Sequence, residues 1–164
     1  YRGYKIYDAA NVCIAHGGSA WAVLDISTRA IAALPEALMA RYPQRPPECD
    51  DFSCRVIPRI SGMADYTGLI RARKDDLDIN GHVNNTKYLA WIQEPLPQAW
   101  KDAADASFPR MVDISFRAEC HPNDELHVLC AADKNASDGA PGRMLHSVKR
   151  VFDDCEVCRA VTHW

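Results

Sequence analysis

Positive charge is not in excess in this chain of 164 residues. Lysines and arginines number 19 against 22 aspartates and glutamates, giving a net charge of −3 and a pI of about 6.1. The basic footprint of a nucleic-acid binder is therefore missing. No apolar run approaches the roughly 20 residues that a bilayer-spanning helix needs. The opening residues, Tyr1-Arg-Gly-Tyr-Lys-Ile-Tyr7, hold no initiating methionine and no visible signal peptide. A cytoplasmic chain without a targeting segment is the expectation, which upstream sequence would override. A disulfide framework is also missing. The seven cysteines, Cys13, Cys49, Cys54, Cys120, Cys130, Cys155 and Cys158, are odd in number and irregularly spaced, as in a reduced intracellular protein. What is present, 48% hydrophobic and 25% charged residues, suits one ordinary domain with a real core, or one domain plus a piece of another.

The N-terminal segment reads as strands. Tyr4–Tyr7 and Val12–Ala15 flank the turn Asp8-Ala-Ala-Asn11, a hairpin signal, and Ser19–Ile26 is a longer β-like run. Pro35–Tyr42 has a short helical pattern with proline at a first helical position. Pro43-Gln-Arg-Pro46-Pro47-Glu-Cys-Asp-Asp then has linker composition, and a boundary is expected at about 43–62. Beyond it, Tyr66–Lys74 reads as a strand. A helix is expected next, with Tyr88, Leu89, Ile92 and Leu96 forming one apolar stripe and Pro95 ending it. Four strand-like runs follow, Arg110–Cys120, Glu125–Ala132, Met144–Phe152 and Glu156–Trp164, separated by turn-rich segments. One helix beside an antiparallel sheet is an α+β layer solution, and this order of elements is that of a hot-dog fold.

The segment Asp76-Leu-Asp78-Ile-Asn80-Gly-His82-Val-Asn84-Asn85-Thr-Lys87-Tyr88-Leu-Ala-Trp91-Ile-Gln-Glu94 carries the chemistry. Acids, amides and one histidine surround a single glycine and run directly into the helix. The first N–H groups of a helix are unpaired and carry partial positive charge. A carbonyl that must become an oxyanion is stabilised at such a place.

This segment resembles the second hot-dog domain of the acyl-ACP thioesterases of plants and bacteria. Two more segments agree with that resemblance. Phe116-Arg-Ala-Glu119-Cys120 lies where the family has its Arg-Glu-Cys strand, and Ser19-Ala-Trp21-Ala-Val-Leu-Asp25-Ile-Ser-Thr28-Arg29 looks like the closing strand of the first hot-dog domain. The resemblance implies that residues 1–42 are the C-terminal part of a first hot-dog domain, 43–62 a linker, and 63–164 the second hot-dog domain. It implies hydrolysis of fatty acyl-ACP to free fatty acid and holo-ACP, with acyl carrier protein as partner, no metal and no organic cofactor. A plastid stroma location follows if the source is a plant or alga. The chain departs from the family in having His121 where glycine commonly follows Glu-Cys, and Ala30 where a second arginine usually follows Thr-Arg. It lacks the helix and early strands of a first domain, so residues 1–42 expect cover from an upstream domain or from a homo-oligomer.

The family's functional positions fall on Asp78, Asn80, His82, Glu119 and Cys120. Two mechanisms are open. In one, Cys120 is the nucleophile, His82 its base, and Asn80 orients the imidazole. In the other, Asp78 or Glu119 activates water, with Asn80 and His82 positioning it. The two-residue spacing of Asp78, Asn80 and His82 places them on one side of an extended segment. Strand parity puts Cys120 on the apolar face with Val112, Ile114 and Phe116, and Glu119 on the other. A buried thiol is usually inert, which favours water activation with Asp78 as base. The competing structural reading makes the Asp, Asn and His side chains mere caps and turn formers. An acyl-CoA thioesterase and a non-catalytic acyl-binding or dimerising module are the alternatives. Cys155-x-x-Cys158 with Cys49 and Cys54 is a poor zinc set, with loose spacing and no supporting histidine pair. Arg55, Arg59, Arg71, Arg73 and Lys74 form a candidate docking patch for the acidic carrier protein.

Overall fold

The computed structural model describes residues 2–28, 30–41, 56–98, 109–133 and 142–164. Contacts divide the chain into two compact units, Tyr1–Val56 and Ile57–Trp164. Arg29, Cys49, Cys54 and Arg55 lie outside the described residues.

In the first unit, β1 (Arg2–Tyr7) pairs antiparallel with β2 (Cys13–Ser19). Asp8 closes the hairpin by accepting the amides of Ala10 and Val12 on one carboxylate oxygen. The run expected over Ser19–Ile26 is instead broken, because Asp25 caps a tight turn through the amides of Ser27 and Thr28. That leaves two short strands, β3 (Val23–Leu24) and β4 (Ile31–Ala32), before the one-turn helix α1 (Glu36–Met39). Ile6, Ile14, Trp21 and Ile31 are all exposed.

The second unit holds the core. Five antiparallel strands lie in the order β5 (Tyr66–Arg71), β7 (Glu125–Ala132), β8 (Arg143–Arg150), β9 (Glu156–His163), β6 (Met111–Phe116), with α2 (Asn85–Gln93) against one face. The α+β hot-dog reading holds. Alternation within β7, β8 and β9 sends Leu126, Val128, Cys130, Met144, Val148, Cys158 and Ala160 toward the helix, where Tyr88, Trp91, Ile92 and Leu96 meet them. Ile92 is 0% exposed, and its burial alone is worth about 1.5–3 kcal/mol. The helix ends against β5 at a close approach. A Cβ on Gly68 would sit 3.0 Å from Pro95 Cγ, so a side chain there would press on the proline ring.

The opposite face of the sheet is partly covered by the chain entering the unit. Arg159 donates to the carbonyl oxygen of Ile57 at 3.0 Å, and Ile60 and Met63 line a small cleft with Ala131 and Leu145. Glu156 organises that face by accepting from Ser147 at 2.8 Å and pairing with Arg117 and Arg159. No helix among the described residues is long and apolar enough to cross a membrane.

Candidate active site

The polar segment folds as a tight loop rather than as an extended strand. After β5 a single 3-10 turn, Lys74–Asp76, leads into an antiparallel bridge between Leu77 and Val83. Asp78 builds the loop between them. Its Oδ1 accepts the amides of Asn80 at 2.8 Å and His82 at 3.3 Å, and its own amide donates to the carbonyl oxygen of His82 at 2.8 Å. Gly81 takes φ +77° to complete the reversal, a conformation that side-chain-bearing residues resist. The alternation expected of Asp78, Asn80 and His82 therefore gives way to an Asx turn. The side-chain Nδ2 of Asn80 lies 3.4 Å from Asp78 Oδ2. These hydrogen bonds, that of the Asn80 backbone amide first, hold the Asp78 carboxyl below its ordinary value.

Asn84 ends the loop and starts α2. Its side-chain oxygen accepts the amide of Thr86 at 3.0 Å, an N-cap that satisfies one of the first orphan donors of the helix. Asp76, buried beneath the loop, accepts the amide of Arg73 at 2.8 Å and pairs with Lys87 of the first helical turn at 3.2 Å. Loop, turn and helix start are thus braced against one another.

The second wall comes from the chain after β6. The strand expected to reach Cys120 stops at Phe116, because the amides of Arg117 and Ala118 both turn to the carbonyl oxygen of Val157. Parity counting ends there, and Glu119 and Cys120 are placed by an irregular segment. Its backbone is fixed at three points. Cys120 accepts the amide of Val83 at 3.1 Å, Arg150 donates to the carbonyl oxygen of Glu119 at 3.0 Å, and Asp124 accepts the amide of His121 at 3.0 Å. The result brings His82 Nε2 to 3.7 Å from Glu119 Oε2, with the two side chains 40% and 47% exposed. The His121 ring stands edge-on to that of His82, 5.5 Å between centroids.

Cys120 is turned away from this pair. Its side chain is 0% exposed, in the core cluster with Tyr88. Burial raises its thiol above the ordinary value, and a hydrogen bond with the Tyr88 hydroxyl opposes the rise. A raised, enclosed thiol makes a poor nucleophile. Of the five sequence candidates, His82 and Glu119 face each other, Asp78 and Asn80 build the loop that presents His82, and Cys120 packs behind. Sequence reasoning did not single out His121 as a member of the site. Its signal was its place beside Glu119-Cys120, where the resembling family commonly has glycine. The cysteine zinc set does not assemble from the described members, since Cys158 is buried in β9 while Cys155 lies before that strand.

Comparisons with known proteins place this geometry in a family. Residues 64–164 match the family model described as the acyl-ACP thioesterase C-terminal domain. The chain is 27% identical over 166 residues to an oleoyl-acyl carrier protein thioesterase of Arabidopsis thaliana, covering 89% of this chain and 45% of that protein. It is 34% identical over 102 residues to a dodecanoyl-[acyl-carrier-protein] hydrolase of Cinnamomum camphora, covering 62% of this chain and 25% of that protein. A crystal structure of an acyl-ACP thioesterase from Bacteroides thetaiotaomicron superposes with a TM-score of 0.74 at 24% identity, covering 98% of this chain and 60% of that one. This chain spans less than half the length of both of those curated relatives. With a family model matched over residues 64–164, more than half of its length, the chain belongs to the acyl-ACP thioesterase family.

Proposed function

We propose that this chain acts in the hydrolysis of fatty acyl thioesters held on acyl carrier protein, releasing free fatty acid and holo-ACP. The observation that carries the proposal is the His82–Glu119 pair, two half-exposed side chains 3.7 Å apart, aligned by the Val83-to-Cys120 backbone hydrogen bond. Glu119 takes a proton from water as the water oxygen attacks the thioester carbonyl carbon. His82 positions that water. The carbonyl oxygen gains negative charge next to the start of α2, whose positive end favours it. The C–S bond then breaks, the carrier thiolate leaves, and the proton passes to it. What supports Glu119 over Asp78 as the base is that Asp78 spends its carboxylate on the loop and is held in its anionic, weakly basic form. Asp78 and Asn80 are then positioning residues. The test is turnover of purified protein on acyl-ACP and acyl-CoA in parallel. Binding of either without release of thiol sinks the proposal in favour of an acyl-binding module.

Cys120→Ala is expected to keep most of this turnover, because the thiol lies in the core and away from the pair. Loss of activity with an unchanged melting temperature would restore the thiol mechanism. A second expectation concerns the carrier protein. Arg71, Arg73 and Lys74 are exposed where β5 hands over to the loop, and Arg59 is exposed upstream. An acidic carrier protein meets complementary charge there. The double variant Arg73→Glu with Lys74→Glu is expected to raise KM for acyl-ACP by about tenfold and to leave KM for a short synthetic thioester unchanged. An equal response of both substrates would remove this patch as the docking site.

A further inference from the structure

We propose that His82, Glu119 and His121 together form a binding site for a divalent transition metal of the zinc class. One ligand atom from each lies within 4.8 Å of the other two. Two imidazoles and one carboxylate are a donor set that zinc takes readily. Zinc–ligand bonds of about 2.0–2.2 Å place neighbouring ligand atoms roughly 3.3–3.5 Å apart around a tetrahedral ion. The present set therefore needs to contract by at most about 1.5 Å. Rotation of exposed side chains supplies that, since His82 and Glu119 are half-exposed and His121 is exposed.

The backbones under the three ligands are already fixed. His82 is held on both sides by Asp78, Glu119 by Arg150 through its carbonyl oxygen, and His121 by Asp124 through its amide. A single backbone hydrogen bond, Val83 to Cys120, sets the separation between the His82 wall and the Glu119–His121 wall. Preorganised backbone with mobile tips lets a metal close the set without refolding the loop. His121 is the residue that makes it a three-ligand site, because His82 and Glu119 alone offer two.

Occupancy has a consequence that rests on the function proposed above. Zinc would take the imidazole and the carboxylate that hydrolysis uses, so micromolar metal would inhibit turnover and a chelator would restore it. Binding itself does not rest on that reading, and the two are measured separately.

The test starts from protein treated with a chelator and desalted. Zn2+ is titrated in competition with a chromogenic chelator, and Co2+ is followed by its visible spectrum. The expected result is one equivalent of tight Zn2+ per chain, and cobalt d–d bands without a thiolate-to-cobalt charge-transfer band. A partner behind a metal ligand commonly governs about 10–100-fold in affinity, so removing a ligand in His121→Ala is expected to weaken binding by at least that much. Because His121 is exposed, this variant is expected to fold, which far-UV circular dichroism checks. The double variant Cys13→Ser with Cys155→Ser, which removes the two cysteines that are not buried among those described, is expected to bind zinc as the parent does. Unchanged affinity in His121→Ala, or a thiolate band with cobalt, overturns the site. Zinc binding that leaves turnover intact overturns the inhibition alone.

Discussion

Glu119→Gln is expected to lower kcat on acyl-ACP by about 10²–10⁴-fold, the range that a positioned general base contributes. KM should change little, because the amide keeps the size of the side chain. The melting temperature should hold, because Glu119 is half-exposed and the segment is anchored through its backbone by Arg150 and Val83. His82→Asn is expected to give a loss of similar size, and the double variant little more than either alone, since the two act as one unit. Asp78→Asn separates the roles. The amide oxygen still accepts the Asn80 and His82 backbone amides, with the weaker hydrogen bonds of an uncharged acceptor. A modest loss of kcat with a lower melting temperature is the expected signature of a loop builder. The decisive comparison is Glu119→Gln against Asp78→Asn in one assay. Near-normal turnover by Glu119→Gln together with collapse in Asp78→Asn at unchanged stability would move the base to Asp78.

The sequence was most legible where one periodicity ran uninterrupted. Of the stripe Tyr88, Leu89, Ile92 and Leu96, all but Leu89 are buried on α2 and its exit, and Leu89 packs part-buried against the same core. The runs Glu125–Ala132 and Glu156–Trp164 become β7 and β9 almost to the residue. The first strand after the linker ends three residues short of the expected Lys74. Arg71 ends β5, because Ala72 turns to the carbonyl oxygen of Asp124, and Asp76 then gathers the amide of Arg73.

The site was less legible, for reasons that local periodicity does not carry. Parity over Arg110–Cys120 assumed an unbroken strand, whereas one carbonyl, that of Val157, collects two successive amides and ends it. Alternation over Asp78–His82 assumed extended backbone, whereas an aspartate two residues before an amide donor prefers to fold the chain onto itself. Residue identities were therefore readable while their directions were not. The same limit hid His121, which is 39 positions from His82 in the chain and meets it only because Val83 pairs with Cys120.

A second large effect is expected far from the site, in the response of stability to acid. His146 lies wholly buried in β8, with Nδ1 3.2 Å from the Cys130 thiol and Nε2 2.8 Å from the Thr162 hydroxyl. Trp164 also donates to that hydroxyl at 3.0 Å. Neither side-chain partner of the imidazole is an anion, since burial pushes the Cys130 thiol up to about 12. Burial accordingly pushes His146 down from 6.5 to about 4.

The sign follows from linkage. Between those two values the unfolded chain binds a proton that the folded chain refuses, so stability falls as pH falls. The loss begins near pH 6.5 and is complete below about pH 4. A depression of that size is worth about 3 kcal/mol, or roughly 6–12 °C in melting temperature for a chain of this length. The hydrogen-bonded carboxylates act lower. Asp25, held down at about 2 from 3.8, contributes stability that is lost only as pH falls through that range. Glu156, also held below its ordinary value of 4.5, adds to the decline near the acid end, so it is the difference between parent and a non-titrating variant from pH 7.5 to 4 that isolates the histidine. His146→Gln, which keeps an amide to meet Thr162 but cannot titrate, is expected to be less stable than the parent at pH 7.5 and to show a much flatter decline toward pH 4. Two parallel declines, parent and variant, would assign the acid sensitivity to other groups.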